Sequence, residues 1–184
     1  MTVLSLHLTK GLTKKGRIID GVWTSVVVNG SLVFAAANDP PEVYVLEYLN
    51  YKWSKIRAFR TNGTPGKATT IAISNDNIVS CSLQTNDYYV YNVQGKLQSV
   101  FDGPGGDNTG KERGFHYPRV SRGDVVGNVL ITEPFEYGVH VMSKEGKFYR
   151  LKLQPDVKAP RRAVLHKNKL FVIDLLDNKL LKYT

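Results

Sequence analysis

A hairpin written twice limits what this chain can fold into. "YNVQGKLQSVF" (91–101) and "MSKEGKFYRLKL" (142–153) share an apolar run, a polar turn closed by Gly-Lys and an alternating strand. A unit of this size cannot bury its own apolar face, so its recurrence implies stacked repeats. Four segments line up, starting at Trp23, Thr69, Tyr117 and Pro160, and the starts are 46, 48 and 43 residues apart.

Each repeat reads as up to four short strands separated by turn residues. The opening strands are "SVVV", "TIAIS" and "AVLH". They run into "NG", "ND" and "KN", or into "GDVVGN" in the third copy. Asn-Gly and Asn-Asp suit hairpins because these residues tolerate positive φ. Second strands follow as "LVFAAA", "IVSCS", "VLIT" and "LFVID". Third strands are "VYVLEY", "YYVYNV", "GVHVM" and "KLLKY". Inner strands are nearly continuous in apolar residues, as expected where both sheet faces are covered. The fourth strands, "WSKIRAF", "KLQSVF" and "KFYRLKL", mix apolar and polar residues, as an outer strand does. No stretch has the caps and periodicity of an amphipathic helix.

Four-stranded antiparallel units at this period are the signature of an all-β fold, the β-propeller. A β-sandwich with coincidental spacing is the alternative. One propeller domain is expected over 1–184. The fourth repeat ends after three strands, while "TVLSLHL" at the N-terminus alternates Leu4, Leu6 and Leu8 with Ser5 and His7. The strand count therefore predicts that residues 2–8 pair with the strand around Leu180–Tyr183 and complete the last blade, removing an exposed edge. Gly95 and Gly146 close equivalent turns and are expected at positive φ.

The third repeat, "GFHYPR…GNVLITE…GVHVMSKEGKF", resembles the NHL repeat family. A Pro-Arg start precedes a Gly-Asn hairpin, an acidic residue after the second strand and a Gly-Lys-Phe turn. "PRRAV", "NKLFVID" and "DNKLL" in the fourth repeat echo it, whereas Ala36 and Ser82 stand where the first two repeats would carry the acid. The chain looks most like the C-terminal propeller of TRIM-NHL proteins. Their RING and B-box zinc modules need cysteines this chain does not have, so ubiquitin-ligase activity does not carry over. Family propellers usually have more blades. Four repeats thus fit a small closed ring, a partial propeller that associates with another copy, or part of a longer one.

Composition narrows the setting. Hydrophobic residues make up 42% and charged residues 22%, an ordinary globular balance. The apolar runs are too short to span a bilayer, and the N-terminus lacks the pattern of a signal peptide. Cys81 is the only cysteine, which excludes an internal disulfide and a cysteine-based zinc site and leans toward the cytoplasm. Cys81 itself lies in an apolar strand and reads as an inert core residue.

Little in the sequence points to chemistry. His7, His116, His140 and His166 show no metal-ligand spacing. Glu133 and Asp174 occupy equivalent places after second strands. They could face a channel and hold a divalent ion, but the stronger expectation is that each ties down the following turn. "GPGGDNTG" (103–110) joins strands and opens no helix, so it reads as a connector rather than a phosphate loop. No motif calls for a cofactor.

Charge is the remaining signal. Connectors between blades, roughly 9–22, 60–69, 102–119 and 154–162, hold twelve bases and five acids, most of the net +9. In a propeller these connectors emerge on one face, so the excess charge gathers there and attracts anionic partners. The expected binding residues are Arg113, His116, Tyr117, Arg119, Arg161, Arg162, Lys14 and Lys15. Trp23 and Phe115 lie among them and either stack bases or plug the ring. Interleaved bases and aromatics suit single-stranded nucleotides, and the family resemblance also points to RNA. The expectation is a non-enzymatic recognition module that binds an acidic protein segment or RNA. A metal-dependent hydrolase or lyase in the central channel is the alternative.

Overall fold

Two kinds of turn organise the chain, and each is dictated locally. Inner hairpins need left-handed backbone, found at Gly30 (φ 58°), Asn75 and Asp76 (45° and 59°), and Lys167 and Asn168 (47° and 59°). In the third repeat the Asp124 carboxylate instead accepts from the backbone N–H groups of Val126, Gly127 and Asn128, at 2.8–2.9 Å. Outer turns repeat a second device. Asn92 Oδ1 accepts from the N–H of Gln94 and Lys96, and Ser143 Oγ accepts from the N–H of Glu145 and Lys147. Gly95 and Gly146 then donate N–H bonds of 2.9 Å to the carbonyls of Asn92 and Ser143.

The computed structural model describes residues 2–7, 11–17, 23–49, 52–62, 69–82, 87–103, 118–135, 138–153 and 157–184. All its elements are strands. A hairpin of β1 (Thr2–His7) and β2 (Gly11–Arg17) comes first. Blade 1 contains β3 (Trp23–Asn29), β4 (Leu32–Ala37), β5 (Glu42–Leu49) and β6 (Lys52–Arg60). Blade 2 contains β7 (Thr69–Ser74), β8 (Asn77–Ser82), β9 (Tyr88–Tyr91) and β10 (Leu97–Phe101). Blade 3 contains β11 (Arg119–Gly123), β12 (Val129–Glu133), β13 (Gly138–Met142) and β14 (Phe148–Arg150). Blade 4 contains β15 (Pro160–His166), β16 (Lys169–Asp174) and β17 (Lys179–Tyr183). Every sheet is an antiparallel meander, and the blades form a four-bladed β-propeller with β3, β7, β11 and β15 innermost.

Alternation along the strands makes the core. Phe34, Ala36, Val43 and Val45 of blade 1 meet Ile71, Ile78, Tyr89 and Tyr91 of blade 2. On the other face of blade 2, Ala72, Val79, Cys81 and Tyr88 meet Val120, Val129, Ile131 and Met142 of blade 3. Val139 of blade 3 meets Ala163, Leu170 and Val172 of blade 4. A central blade therefore buries successive residues on opposite faces, which is why its inner strands carry few polar positions.

The innermost strands leave backbone groups unpaired on their channel edge, and small hydroxyls on the preceding blade reach them. The Ile71 N–H donates to Ser25 Oγ (3.2 Å), the Val120 N–H to Thr70 Oγ1 (3.0 Å) and the Ala163 N–H to Ser121 Oγ (3.3 Å). Ser74 Oγ lies 2.9 Å from the carbonyl oxygen of Asn128. A hydroxyl suits the place because it is short and can both donate and accept.

The repeated outer turn has a packing reason as well as a backbone one. Gly95 and Gly146 adopt φ of 88° and 80°, as expected. A Cβ on Gly95 would overlap the Phe59 ring of blade 1, and one on Gly146 would overlap the Phe101 ring of blade 2. Each turn glycine thus seats the aromatic at or next to the end of the previous blade's outer strand.

The N-terminal expectation is overturned. β1 pairs with β2, from Thr2 opposite Arg17 to His7 opposite Gly11, and blade 4 is a three-stranded sheet among the described residues. Pairing with a segment a few residues away closes a much smaller loop than pairing with residues 180–183. Packing also runs from β3 to β7, β11 and β15 without a comparable contact from β15 back to β3. Among the described residues the blades therefore form an arc, with no packing of that extent between blade 4 and blade 1.

Candidate functional site

Three arginines converge where blades 3 and 4 meet. Pro118 and Pro160 are both buried, and each directs the next residue to the connector end of an inner strand. Arg119 and Arg162 are half-buried, while Arg161 is exposed. Arg162 Nη1 donates to the Val120 carbonyl at 3.2 Å, and the Arg161 carbonyl accepts from Thr132 Oγ1 at 3.2 Å. Burial, then the charges of Arg161 and Arg162, lowers the Arg119 pKa, while Glu133 partly opposes this. Burial, then Arg161, lowers that of Arg162. Among the described residues none of the three forms a salt bridge.

Arg162 of this cluster also lines a central cavity of about 1110 Å³ touched by all four inner strands. Its walls are mainly apolar, with Val26, Ala72, Ile73, Leu130, Val164 and Phe171 among them. Arg122 and Arg162 supply positive charge, and Asp76 and Asp124 lie toward the hairpin end. Both acids are engaged locally. Asp76 Oδ1 accepts from Asn29 Nδ2 at 3.0 Å, and Asp124 holds its own turn, which lowers its pKa despite a desolvation cost. Among the described residues no group of three or more His, Cys, Asp or Glu is arranged to hold a metal ion.

The buried acids Glu133 and Asp174 act as turn ties. Asp174 accepts from the N–H of Lys158 (2.8 Å), Ala159 (3.1 Å) and Leu176 (3.1 Å). Glu133 Oε1 accepts from the Phe135 N–H at 3.0 Å. Register shifts the comparison in blade 1 by one residue, since Ala37 rather than Ala36 lies opposite Trp23 as Asp174 lies opposite Pro160. Cys81 is fully buried and burial pushes its thiol far up, so it is a core residue without thiolate character. His140 is buried in β13. Burial, then Arg150, pushes its imidazole down to about 4.

The expected binding residues divide into three groups. Arg119, Arg161 and Arg162 come together, as the matching "YPR" and "PRR" segments imply. Arg113, His116, Tyr117 and Phe115 lie outside the described residues. Lys14 and Lys15 were expected on a connector, but β2 is a strand, with Lys14 opposite Leu4 and Lys15 at a register shift. A strand with so few apolar residues reads as a loop because backbone pairing, not side-chain burial, defines it. Trp23 packs edge-on against Tyr44 (5.1 Å, 78°), with Lys55 Nζ 4.0 Å from the Tyr44 ring centre. Nothing in the sequence singles out Arg122, whose place on the cavity wall follows from β11 being innermost.

No protein-family model matches the chain, and no curated protein matches its sequence. Solved structures are similar in shape. Streptogramin B lyase is 12% identical over 99% of this chain and 61% of its own, with a TM-score of 0.67. A structure described as a nidogen/laminin complex is 17% identical over 93% of this chain and 65% of its own, with a TM-score of 0.69. The RRP9 WD40 repeats are 14% identical over 91% and 52%, with a TM-score of 0.59. The shared feature is the β-propeller. At these identities the likeness establishes fold alone, and structures of this shape are described variously as a lyase, a nidogen/laminin complex and WD40 repeats. The chain spans 61% of the length of streptogramin B lyase. No helix among the described residues is long and apolar enough to cross a membrane.

Proposed function

We propose that this chain is an NHL-like recognition module, without catalytic activity, that binds an acidic protein segment at the arginine cluster between blades 3 and 4. The observation that carries the reading is the convergence of Arg119, Arg161 and Arg162 with no salt bridge among the described residues. Bringing guanidinium groups together in a partly buried place raises their mutual repulsion, and an arriving carboxylate relieves it. Arginine also matches carboxylates in a bidentate fork. The nidogen/laminin complex is an assembly of protein with protein, which supports a protein partner here. Asp174 and Gly146 support the NHL likeness, since acid and glycine hold turns at the positions that resemblance names. The single buried thiol fits a cytoplasmic setting.

The test is a titration with a Glu/Asp-rich peptide at low salt, followed by calorimetry. Arg161→Glu is the suitable variant because Arg161 is exposed and surface substitutions alter stability little. Arg119 is half-buried, so a glutamate there would also disturb the fold. We expect Arg161→Glu to weaken peptide binding by roughly tenfold or more, and added salt to weaken the wild type. Single-stranded RNA serves as the competing ligand. Tight, steeply salt-dependent RNA binding with none to the peptide would replace the protein partner by RNA. Failure of both would remove the anion-binding reading.

A further inference from the structure

The register identifies an inter-blade face with no occupant among the described residues. In blade 2, Ala72 lies opposite Val79, Val79 opposite Val90 and Cys81 opposite Tyr88. Those side chains form the face buried against blade 3. In blade 4 the same positions are Val164 opposite Phe171, Phe171 opposite Lys182 and Ile173 opposite Leu180. The alternation places Val164, Phe171, Ile173 and Leu180 on the face turned away from blade 3. Phe171 corresponds to Phe34 of blade 1, which is fully buried against blade 2. Yet Ile173 is 44% exposed and Leu180 69%. Blade 4 thus continues the pattern of an inter-blade face without a following blade.

The opposite end is open along its inner strand. Val26 and Val28 of β3 are 50% and 65% exposed, whereas Ile71, which takes the place of Val26 in blade 2, is fully buried. Ala35 and Leu46, farther out on that face of blade 1, are already buried. Both ends border the central cavity, so its wall is incomplete between them.

We propose that two copies of this chain associate head to tail, blade 4 of each covering the Val26–Val28 edge of the other's blade 1. The occupant is a second copy because the forward face of a blade packs on the rear face of another, and blade 1 leaves the inner-strand edge of its rear face, at Val26 and Val28, exposed. Two identical junctions related by a two-fold axis close the assembly. Eight blades result, within the usual range of about four to eight in a propeller. The central cavity then takes its wall from both copies. This inference is independent of the anion-binding proposal.

The molar mass of the native protein in solution, by light scattering, tests it first. Two copies of 20.6 kDa give about 41 kDa, and a wild type that stays monomeric at high micromolar concentration overturns the proposal. Ile173→Asp and Val28→Asp, both at exposed positions, are each expected to yield folded monomers by circular dichroism. Mixing the two variants should restore dimers. One junction in the mixed pair joins an unaltered blade 4 to an unaltered blade 1. Dissociation by Ile173→Asp but not by Val28→Asp would instead indicate blade 4 packed on blade 4, and would overturn the head-to-tail arrangement. Should Ile173→Asp fail to fold, Leu180→Lys at the more exposed position gives the same reading.

Discussion

The junction between blades 2 and 3 and the junction between blades 3 and 4 join similar sheets with packing of different depth. The first is deep: eight fully packed side chains, including Tyr88, Met142 and Ile131, are reinforced by Phe101 and Phe148. The second has a smaller fully buried set, Val139, Val157, Ala163, Leu170 and Val172, with Leu130, Leu151 and Tyr183 only partly covered. Hydrogen bonds cross both junctions, from Ser74 and Thr70 to blade 3 at the first and through Arg162 and Thr132 between blades 3 and 4 at the second, so the two differ chiefly in the depth of apolar packing. A blade between two others is fixed by apolar contact on both faces. A terminal blade has one such face.

The sharpest way to break this contrast is at a turn of the deep junction. Gly146→Val requires an unfavourable φ and collides with Phe101, so we expect a loss of about 3 kcal/mol or more in chemical denaturation. Gly95→Val should behave alike through Phe59. Asp174→Ala should cost about 2 kcal/mol, because it removes the acceptor for three backbone N–H groups beside a fully packed strand. Its damage should be local, read as faster hydrogen exchange at residues 157–159 and 175–176 than in blade 2. Ser74→Ala removes the bridge from inner strand β7 to the hairpin between β11 and β12 and should cost about 1 kcal/mol. If Ser74→Ala proved as harmful as Gly146→Val, hydroxyl bridges rather than packing would dominate the deep junction.

A pH series sharpens the same comparison. The His140 imidazole is pushed down to about 4 in the fold, against about 6.5 in an unfolded chain. Between those values the unfolded state binds the proton and the folded state does not. Stability should therefore be complete above pH 6.5 and decline as pH falls toward 4. His140→Gln should flatten this decline relative to wild type in melting temperature. Arg161→Glu should have the smallest effect on stability, within about 0.5 kcal/mol by denaturant titration.

What could be read from the sequence was set by local rules. Strand positions in all four blades followed from apolar runs and turn residues, and the φ values of Gly95 and Gly146 from the Gly-Lys turns. The turn-tying roles of Asp174 and Glu133 followed from their place after a second strand. β2 escaped notice because "GLTKKGR" has one large apolar residue and the basic look of a connector. The contact of Gly146 with Phe101 spans two blades and leaves no trace in either segment alone. The open ends were illegible for a similar reason: the tilt between neighbouring sheets is a sum of packing details. At the candidate site, the meeting of Arg119, Arg161 and Arg162 was foreseeable from equivalent Pro-Arg starts, but the burial of Arg119 depends on what packs over it.

The hydroxyl bridges between successive inner strands also govern how the molecule comes apart. Each links a blade only to the next, so cooperativity passes along the arc as through a short one-dimensional chain. A blade with two such neighbours unfolds only when a junction on each side gives way, whereas a blade at either end of the arc needs one. In a single copy, unfolding should thus start as fraying at the end blades and advance inward, with the slowest amide exchange in the blades between them.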